Sequence, residues 1–403
     1  MQKKKNNTGF WKSAWLDVMI ITILTVIISA NINFMKFTPS LLYQGESSGD
    51  AFTTDLFFRI SNRTQAIYVE PDITLIDIDS IKGRVELAKL LSSVLGMNPK
   101  AIGFDVFFNN YLNSYEDSSF VELINSLQKD PRCIYANAYY TTSNSNLPEV
   151  THSFFLSAED SLIEGFVNFV YDEKYMNVRE YLVEKNTKEG RQQSLTYRML
   201  TSQNNGQTCI DSGLHYIDYR LTSFNELKID SIDSSLVEGK WVLIGSLSRN
   251  KDNFNTPIGM MPGLKIHAYT LKSLLSKSQI RSANKVWDWI VLSIICFLSS
   301  VGLVYADYIV FKKKNKTWSF IINEGAFSLL FIFLQVILLL LIAYLIFEYC
   351  NVFFSMQSSL NGALFVAALV KAIFAACMAY LCNKKKFKQL LETFMYYSTN
   401  KQL

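Results

Sequence analysis

Two hydrophobic patterns alternate along this chain. Four long apolar runs, at 15–35, 286–311, 327–352 and 360–382, are each long enough for a helix to cross about 30 Å of hydrocarbon. Between the first two runs, residues 36–283 carry short apolar segments separated by polar loops, as a folded domain does. The sequence therefore predicts one domain with a membrane helix before it and three after it.

The predicted domain alternates strand-like and helix-like segments. This alternation is typical of βαβ units around a mainly parallel sheet, so the predicted fold class is an α/β domain plus four transmembrane α-helices. Strands are predicted at 73–79, 101–108, 133–140, 165–171, 179–183, 214–221 and 241–245, and helices at 85–95, 120–127, 195–200 and from 263 onward.

The last predicted helix follows a polar loop at 246–259 and has one apolar face, since Leu264, His267, Ala268 and Leu271 recur at three- and four-residue steps. It ends shortly before the apolar run that begins near 286. A domain that ends in such a helix is suited to passing a signal inward, and equally to simple anchoring.

Charge sets the expected orientation. Lysine clusters at 3–5, 312–314 and 384–386 lie beside apolar runs, which is typical of segments that stay in the cytoplasm. Residues 1–14 and 383–403 are therefore expected inside, and 36–283 outside, the inner (plasma) membrane. A cleaved signal peptide is the alternative for the first run, although Ile28-Ser29-Ala30 is a poor cleavage site.

Composition agrees with a protein that is part globular and part membrane-embedded. The 403 residues are 49% hydrophobic and 14% aromatic, and the net charge of +4 does not by itself predict a nucleic-acid partner. The tail after the last run is too short for a folded kinase or cyclase, so we expect an output through a membrane or cytoplasmic partner protein.

Three aspartates lie at or near the ends of two predicted strands: Asp77, Asp79 and Asp105. Ligands of open parallel sheets bind beyond the carboxyl ends of the strands. These carboxylates are candidates for binding a small polar ligand, and Asp79 with Asp105 for holding a hard divalent cation. Alternatively, Asp79 or Ser80 caps the following helix and Asp105 braces a loop.

Three more residues join the candidate ligand site. Asp252 and Thr256 lie in the loop after the last long strand, where Asp252 could instead close a turn. Arg84 could clamp an anion or form a plain salt bridge. No histidine or cysteine joins the carboxylates in a catalytic pattern, so we expect no enzyme activity and no cofactor.

Two further pairings are candidates. Cys133 and Cys209 are the cysteines of the exported domain, where an oxidising compartment permits a disulfide. Lys371 lies in the last apolar run, where an ionisable side chain usually faces protein, and Gln335 of the preceding run is its candidate partner. Small residues around Lys371 favour close helix packing, within or between subunits: Ala368, Ala372 and Ala376.

Several motifs resemble the CHASE sensor domains of the second type, extracellular sensory modules of bacterial cyclases and kinases. The residues that carry the likeness are LIDIDS (75–80), Arg84, PKAIGFDVFF (99–108), GKWVLIGS (239–246), DNFNTP (252–257) and MPGLKIHAYTLKSLL (261–275). Two features depart from the family pattern. Residues 80–83 replace an aromatic-proline stretch, and we expect no catalytic domain after the last span.

The resemblance implies extracytoplasmic sensing of an unknown small ligand. The first functional hypothesis is therefore a receptor that relays a signal through its spans to a separate partner, and it could be a homo-oligomer. The second is a structural or assembly subunit of a cell-envelope complex, with the sensor fold as a docking platform. An exported enzyme or transporter is the third, but the four runs lack the polar residues that transport requires.

Overall fold

The computed structural model describes the greater part of the chain. These are residues 48–108, 115–127, 130–141, 147–155, 163–171, 177–203, 210–248, 252–276, 279–282 and 326–353, with scattered positions at 18–23 and 286–305. The chain divides into two compact units, one of Thr54–Arg281 and one of Met1–Thr53 with Ser282–Leu403.

Strands and helices alternate through the first unit. The helices are α1 (Ser48–Thr64, which begins before that unit), α2 (Arg84–Gly96), α3 (Tyr115–Leu127), α4 (Leu195–Gln203) and α5 (Gly263–Leu275). The strands are β1 (Tyr68–Asp77), β2 (Ala101–Phe104), β3 (Cys133–Tyr140), β4 (Glu149–Thr151), β5 (Glu164–Phe166), β6 (Val170–Tyr171), β7 (Val178–Leu182), β8 (Glu184–Thr187), β9 (Gly190–Gln193), β10 (Leu214–Tyr216), β11 (Thr222–Lys228), β12 (Trp241–Gly245), β13 (Asn253–Thr256), β14 (Gly259–Pro262) and, at the unit's end, β15 (Arg281–Ser282).

A seven-stranded, mainly parallel sheet forms the centre of this unit. Its order is β11-β1-β12-β2-β3-β4, and β5 also pairs with β3. Every pairing is parallel except that of β3 with β4. Two of the central strands, β2 and β12, are buried throughout, as a parallel sheet covered on both faces requires.

Helices cover both faces of the sheet. On one face, α2 and α3 pack with Phe104 and Ile244 in the main hydrophobic core. On the other, α4 and α5 pack together, and a Cβ on Gly103 would meet the Met199 sulfur of α4 at 2.5 Å. Nearly every residue of α5 is buried, so this helix is part of the core as well as the last helix of the unit.

The structure confirms the predicted α/β class and most predicted elements. β3, β12 and the start of α5 lie where the sequence places them. Four predictions were wrong in detail. The predicted strand at 165–171 is two short strands, β5 and β6, which belong to different sheets. The predicted strand at 101–108 ends at Phe104, the one at 214–221 ends at Tyr216, and the loop at 246–259 contains β13, which pairs with β14 as a hairpin.

In the second unit, helix α6 (Ala326–Cys350) occupies most of the predicted span 327–352, and β16 (Val352–Phe353) follows it. Side chains are described for only some residues of α6. Within the described residues, no helix meets the combined length and hydropathy requirement for crossing a membrane. The remaining predicted spans lie mostly or wholly outside the described residues.

Candidate functional site

Two of the predicted site residues form a brace between β1 and β12. The Oδ1 atom of Asp77 accepts hydrogen bonds from the backbone N–H of Asp79, at 3.1 Å, and of Leu247, at 3.2 Å. Asp79 accepts from the Ser246 hydroxyl at 2.8 Å and from Leu247 N–H at 3.2 Å. Both carboxylates therefore tie the loop after β1 to the loop after β12.

This brace separates the pKa values of its two carboxyl groups. Burial raises the pKa of Asp77, against the hydrogen bond from the Asp79 backbone. Burial also acts on Asp79, but the hydrogen bonds, with that of the Ser246 hydroxyl first, outweigh it and lower the pKa. Neither Asp79 nor Ser80 caps α2, because its N-cap is Gly83, which makes no side-chain hydrogen bond. The capping alternative was wrong.

A second group of polar residues meets between the ends of β2 and β12 and the start of α5. Asp105 follows β2, and its backbone N–H donates to Ile244 O at 2.8 Å. Its Oδ1 atom lies 3.9 Å from Nε2 of His267, which projects from α5 and is 5% exposed. Asp252 approaches from the loop before β13, and its carbonyl accepts the N–H of Gly263 at 3.0 Å. We call these three side chains, Asp105, His267 and Asp252, the acid–imidazole cluster.

Burial controls the charge of this cluster. It raises the pKa of Asp105 to about 7 and lowers that of His267 to about 4. The pKa of Asp252 is raised by burial and by the nearby Asp105 carboxyl. Near neutral pH, the cluster thus holds a neutral imidazole and a carboxyl group that can gain or lose a proton.

Aromatic rings and close packing position the cluster. The ring of Phe169 lies 4.6 Å from that of His267 and 4.9 Å from that of Phe254. A Cβ on Gly263 would lie 2.7 Å from Oδ2 of Asp252, so glycine at the start of α5 allows this carboxylate to approach. Asp252 itself has a φ of 49°, which aspartate tolerates better than most residues.

The other predicted site residues lie outside this cluster. Arg84 pairs with Asp117 of α3 rather than with the strand-end aspartates, and its guanidinium lies over the rings of Phe108 and Phe154. Thr256 donates to Gly259 O at 2.5 Å and closes the β13–β14 hairpin. Ser80 lies exposed in the turn after β1. The structure thus brings Asp105 and Asp252 together and leaves Arg84 elsewhere.

No group of three or more His, Cys, Asp or Glu side chains suited to a metal occurs among the described residues. Cys133 is a free, buried cysteine, and burial raises the pKa of its thiol to about 12. Cys209 lies outside the described residues, so nothing supports the predicted disulfide. Lys371, Ala368, Ala372 and Ala376 also lie outside them, and Gln335 belongs to α6 without a described side chain.

Sequence reasoning missed a buried charge group at the opposite end of α5. Asp218 accepts from the backbone N–H and Nε of Arg220, at 3.0 and 2.9 Å, and lies 3.7 Å from Nζ of Lys272. Burial opposes the charge on Asp218, but Lys272 and Arg220 lower its pKa. A cavity of about 230 Å³, also lined by Tyr68, opens beside them. No sequence signal linked residues so far apart.

Among the described residues, the acid–imidazole cluster is the arrangement best suited to sensing. It can exchange a proton or bind a small polar group, because none of its side chains makes a hydrogen bond to another protein group there. Asp105 and His267 are too far apart for a direct hydrogen bond.

Comparison with known proteins gives one clear relationship. The CHASE2 domain model matches residues 22–304, more than two thirds of the 403-residue chain. No curated protein and no solved structure matches it significantly. The family match agrees with the motifs noted in the sequence and with the mainly parallel α/β unit. The chain therefore belongs to the CHASE2 domain family, a family of sensor domains.

Proposed function

We propose that this protein is a membrane-anchored extracytoplasmic sensor that relays a signal through transmembrane helices to a separate partner protein. The family supports the sensing role. The four apolar runs and the lysine clusters beside them support an inner-membrane location, with the α/β unit outside and both termini inside. The partners are then the lipid bilayer, a membrane or cytoplasmic output protein and, in an oligomer, a second copy.

One observation carries the relay hypothesis: the helix that contributes His267 to the acid–imidazole cluster is the last helix of the α/β unit. Helix α5 ends at Leu275, the unit ends at Arg281, and the predicted span begins at 286 in the sequence. A shift of α5 caused at His267 therefore has a short covalent path to the predicted span. Its nearly complete burial favours movement as a rigid body.

The proposed ligand is a small polar molecule that enters near the carboxyl ends of β1, β2 and β12. Asp105, Asp252 and His267 would contact it. Asp77 and Asp79 would border the entrance through their hydrogen bonds to the loop after β12. No catalytic step and no cofactor belong to this proposal.

Topology reporters test the orientation. Alkaline phosphatase inserted near Ser143 should be active, and the same enzyme fused after Lys314 should be inactive, because it folds only outside the cytoplasm. A green fluorescent protein fused at the same positions should give the opposite result. An inactive phosphatase near Ser143, with the fusion intact on a blot, would contradict an extracytoplasmic sensor.

Affinity purification of the full chain from native membranes tests the relay. The proposal expects a co-purifying kinase, cyclase or regulator whose output changes in Asp105→Asn and His267→Gln at equal protein levels. Lys265→Met, on the same helix but outside the cluster, is the matched control. If the chain instead co-purifies with a stoichiometric envelope complex, and none of the three variants changes that complex, the relay is overturned and the assembly role is favoured.

A further inference from the structure

A histidine outside the candidate site lies between two carboxylates at the edge of the sheet. His152 directly follows β4, and its Nδ1 atom contacts Oε2 of Glu164, the first residue of β5. Its Nε2 atom lies 2.7 Å from Oε2 of Glu189, in the turn of the β8–β9 hairpin. The imidazole therefore connects the sheet edge to the tip of a hairpin.

With both carboxyl groups ionised, this geometry requires a proton on each ring nitrogen. Burial raises the pKa of Glu164, and the hydrogen bond and charge of His152 oppose that rise. A neutral imidazole carries a single N–H, so one carboxylate would then face a nitrogen lone pair. The imidazolium donates to both carboxylates at once. With Glu164 and Glu189 ionised, the arrangement in the structure is therefore that of a charged His152.

Burial makes one of the two contacts stronger than the other. The Glu164 side chain is 1% exposed, whereas that of Glu189 is 46% exposed. Glu164 has further, longer contacts of 3.4 Å with the Asn137 amide and the Ser153 N–H. A buried carboxylate needs a cation close by. When His152 loses a proton, we expect it to keep the N–H to Glu164 and to lose the one to Glu189.

A second group of charges in the described part of the chain lies near this contact, and its members pair with one another. Lys188, the neighbour of Glu189, lies with its Nζ atom 2.5 Å from Glu149 Oε1, and the Tyr140 hydroxyl donates to the other oxygen of Glu149 at 2.8 Å. The Lys188 N–H donates to Pro148 O at 3.0 Å. These contacts hold one side of the hairpin tip, and the His152–Glu189 pair holds the other.

We propose that His152 is a proton-controlled latch that holds the tip of the β8–β9 hairpin against the sheet edge formed by β4 and β5. With the imidazole charged, the tip is held on both sides. With the imidazole neutral, the Lys188 side alone remains, and the tip opens more often. Ser194 follows the hairpin and forms a β-bridge with Phe166 of β5. Helix α4 begins at the next residue and packs on α5. The latch therefore acts on a segment connected to the core of the sensor unit and does not depend on the relay.

The direction of the pH dependence follows from the environment of His152. Burial opposes the charge, but the hydrogen bonds to Glu164 and Glu189 outweigh it and raise the pKa of His152 above 6.5. The latch is thus fully closed below the unfolded pKa of 6.5 and opens as the pH rises through the higher folded value.

Two mass-spectrometric measurements on the full chain in nanodiscs test the latch. Deuterium exchange at the imidazole C2 carbon reports the midpoint of each histidine separately. We expect the midpoint of His152 above 6.5 and that of His267, near 4, as an internal contrast. Amide exchange in peptides covering 184–193, corrected for intrinsic rates, should show protection at acid pH that falls about tenfold as His152 titrates.

Three variants separate the latch from general stability. Glu189→Gln should lower the His152 midpoint, and His152→Gln should abolish the pH dependence of hairpin protection. Lys188→Met should reduce protection by the same factor at every pH. A His152 midpoint at or below 6.5, an unchanged midpoint in Glu189→Gln, or the wild-type profile retained in His152→Gln would each overturn the proposal.

Discussion

Two buried carboxylates flank the same helix, and their surroundings differ. Asp218, near the last turn of α5, has the ammonium group of Lys272 and the guanidinium group of Arg220 beside it, and its pKa is lowered. Asp105, near the first turns of α5, has the imidazole of His267 at 3.9 Å and the Asp252 carboxyl nearby, but no cation among the described residues. Burial raises its pKa to about 7. Two cations thus compensate the negative charge of Asp218, whereas no described cation compensates that of Asp105.

This difference suggests different roles. A buried charge with paired cations fixes a structure, because removal of one partner leaves the remaining buried charges less well compensated. An uncompensated buried carboxyl group lowers the stability of the fold when it ionises. Buried groups whose pKa is shifted in this way are often found at functional sites. The end of α5 near Lys272 is therefore the structural end, and the end near His267 is the candidate sensing end.

The largest effect is expected at the compensated end. Lys272→Met keeps the unbranched stem but removes the ammonium group from Asp218, and we expect a loss of about 3 kcal/mol of unfolding free energy. Thermal and urea unfolding of the detergent-solubilised chain, followed by tryptophan fluorescence, measures it. Lys265→Met on the same helix breaks a pair with the half-exposed Glu226 and should cost less than about 1 kcal/mol. Equal losses in the two variants would remove the contrast.

The pKa of Asp105 is raised and that of Asp218 is lowered, so the ionisation of Asp105 should change stability with pH in the direction opposite to that of Asp218. The folded pKa of Asp105 is raised from 3.8 to about 7, so its neutral form favours folding at low pH and this advantage is lost as the pH rises from 3.8 to 7. Asp105→Asn cannot ionise and should therefore gain stability relative to wild type between pH 5 and pH 8, by about 2 kcal/mol. Melting temperatures at both pH values test this, and a parallel change in both proteins would contradict it.

Packing at the start of α5 should matter less than either charge. In Gly263→Ala, the new methyl group meets the Asp252 carboxylate at 2.7 Å and the rings of Phe169 and Phe254 at 3.3 and 3.4 Å. We expect a loss of about 1–2 kcal/mol and a changed midpoint for His267, seen by C2 exchange. Gly96→Ala, at the end of α2 with nothing within 4 Å, should be neutral or slightly stabilising. If both variants behave alike, the close approach of Asp252 is unimportant.

The smallest effect is expected at the brace. Asp79→Ala removes the hydrogen bonds to the Ser246 hydroxyl and the Leu247 N–H and should cost about 1 kcal/mol. Because the pKa of Asp79 is lowered, this contribution is present above pH 3.8 and disappears as the pH falls through the folded value. Asp72→Ala, which breaks an exposed pair with Lys240, is the control and should cost almost nothing. If Asp79→Ala loses no more unfolding free energy than Asp72→Ala, the hydrogen bonds of Asp79 do not stabilise the fold.

Local pattern predicted much of the fold and part of the candidate site. The buried run Trp241–Gly245 and the apolar face of α5 each carry their own periodicity, so both were found where they lie. Strand β11 was missed because its polar residues, such as Asn225 and Glu226, do not read as a buried strand. This segment forms a strand because it lies at the sheet edge beside β1, which supplies its hydrogen-bond partners.

The candidate site shows the same division. The placement of Asp77, Asp79 and Asp105 at strand ends could be read from the sequence, because parallel strands bring their carboxyl ends to one edge. The inclusion of His267 could not, nor could the pairing of Arg84 with Asp117 or the contact of His152 with Glu164 and Glu189. Each of these depends on elements distant in sequence.

By itself, then, the sequence determined the α/β class, the family and the order of the main elements, because hydrophobic periodicity and short motifs are properties of neighbouring residues. Tertiary structure alone decided which buried charges have partners. Strand order and helix packing place Lys272 beside Asp218 and leave Asp105 with a neutral imidazole. The energy of a buried charge depends on distances of a few ångströms, and no pattern along the chain encodes those distances.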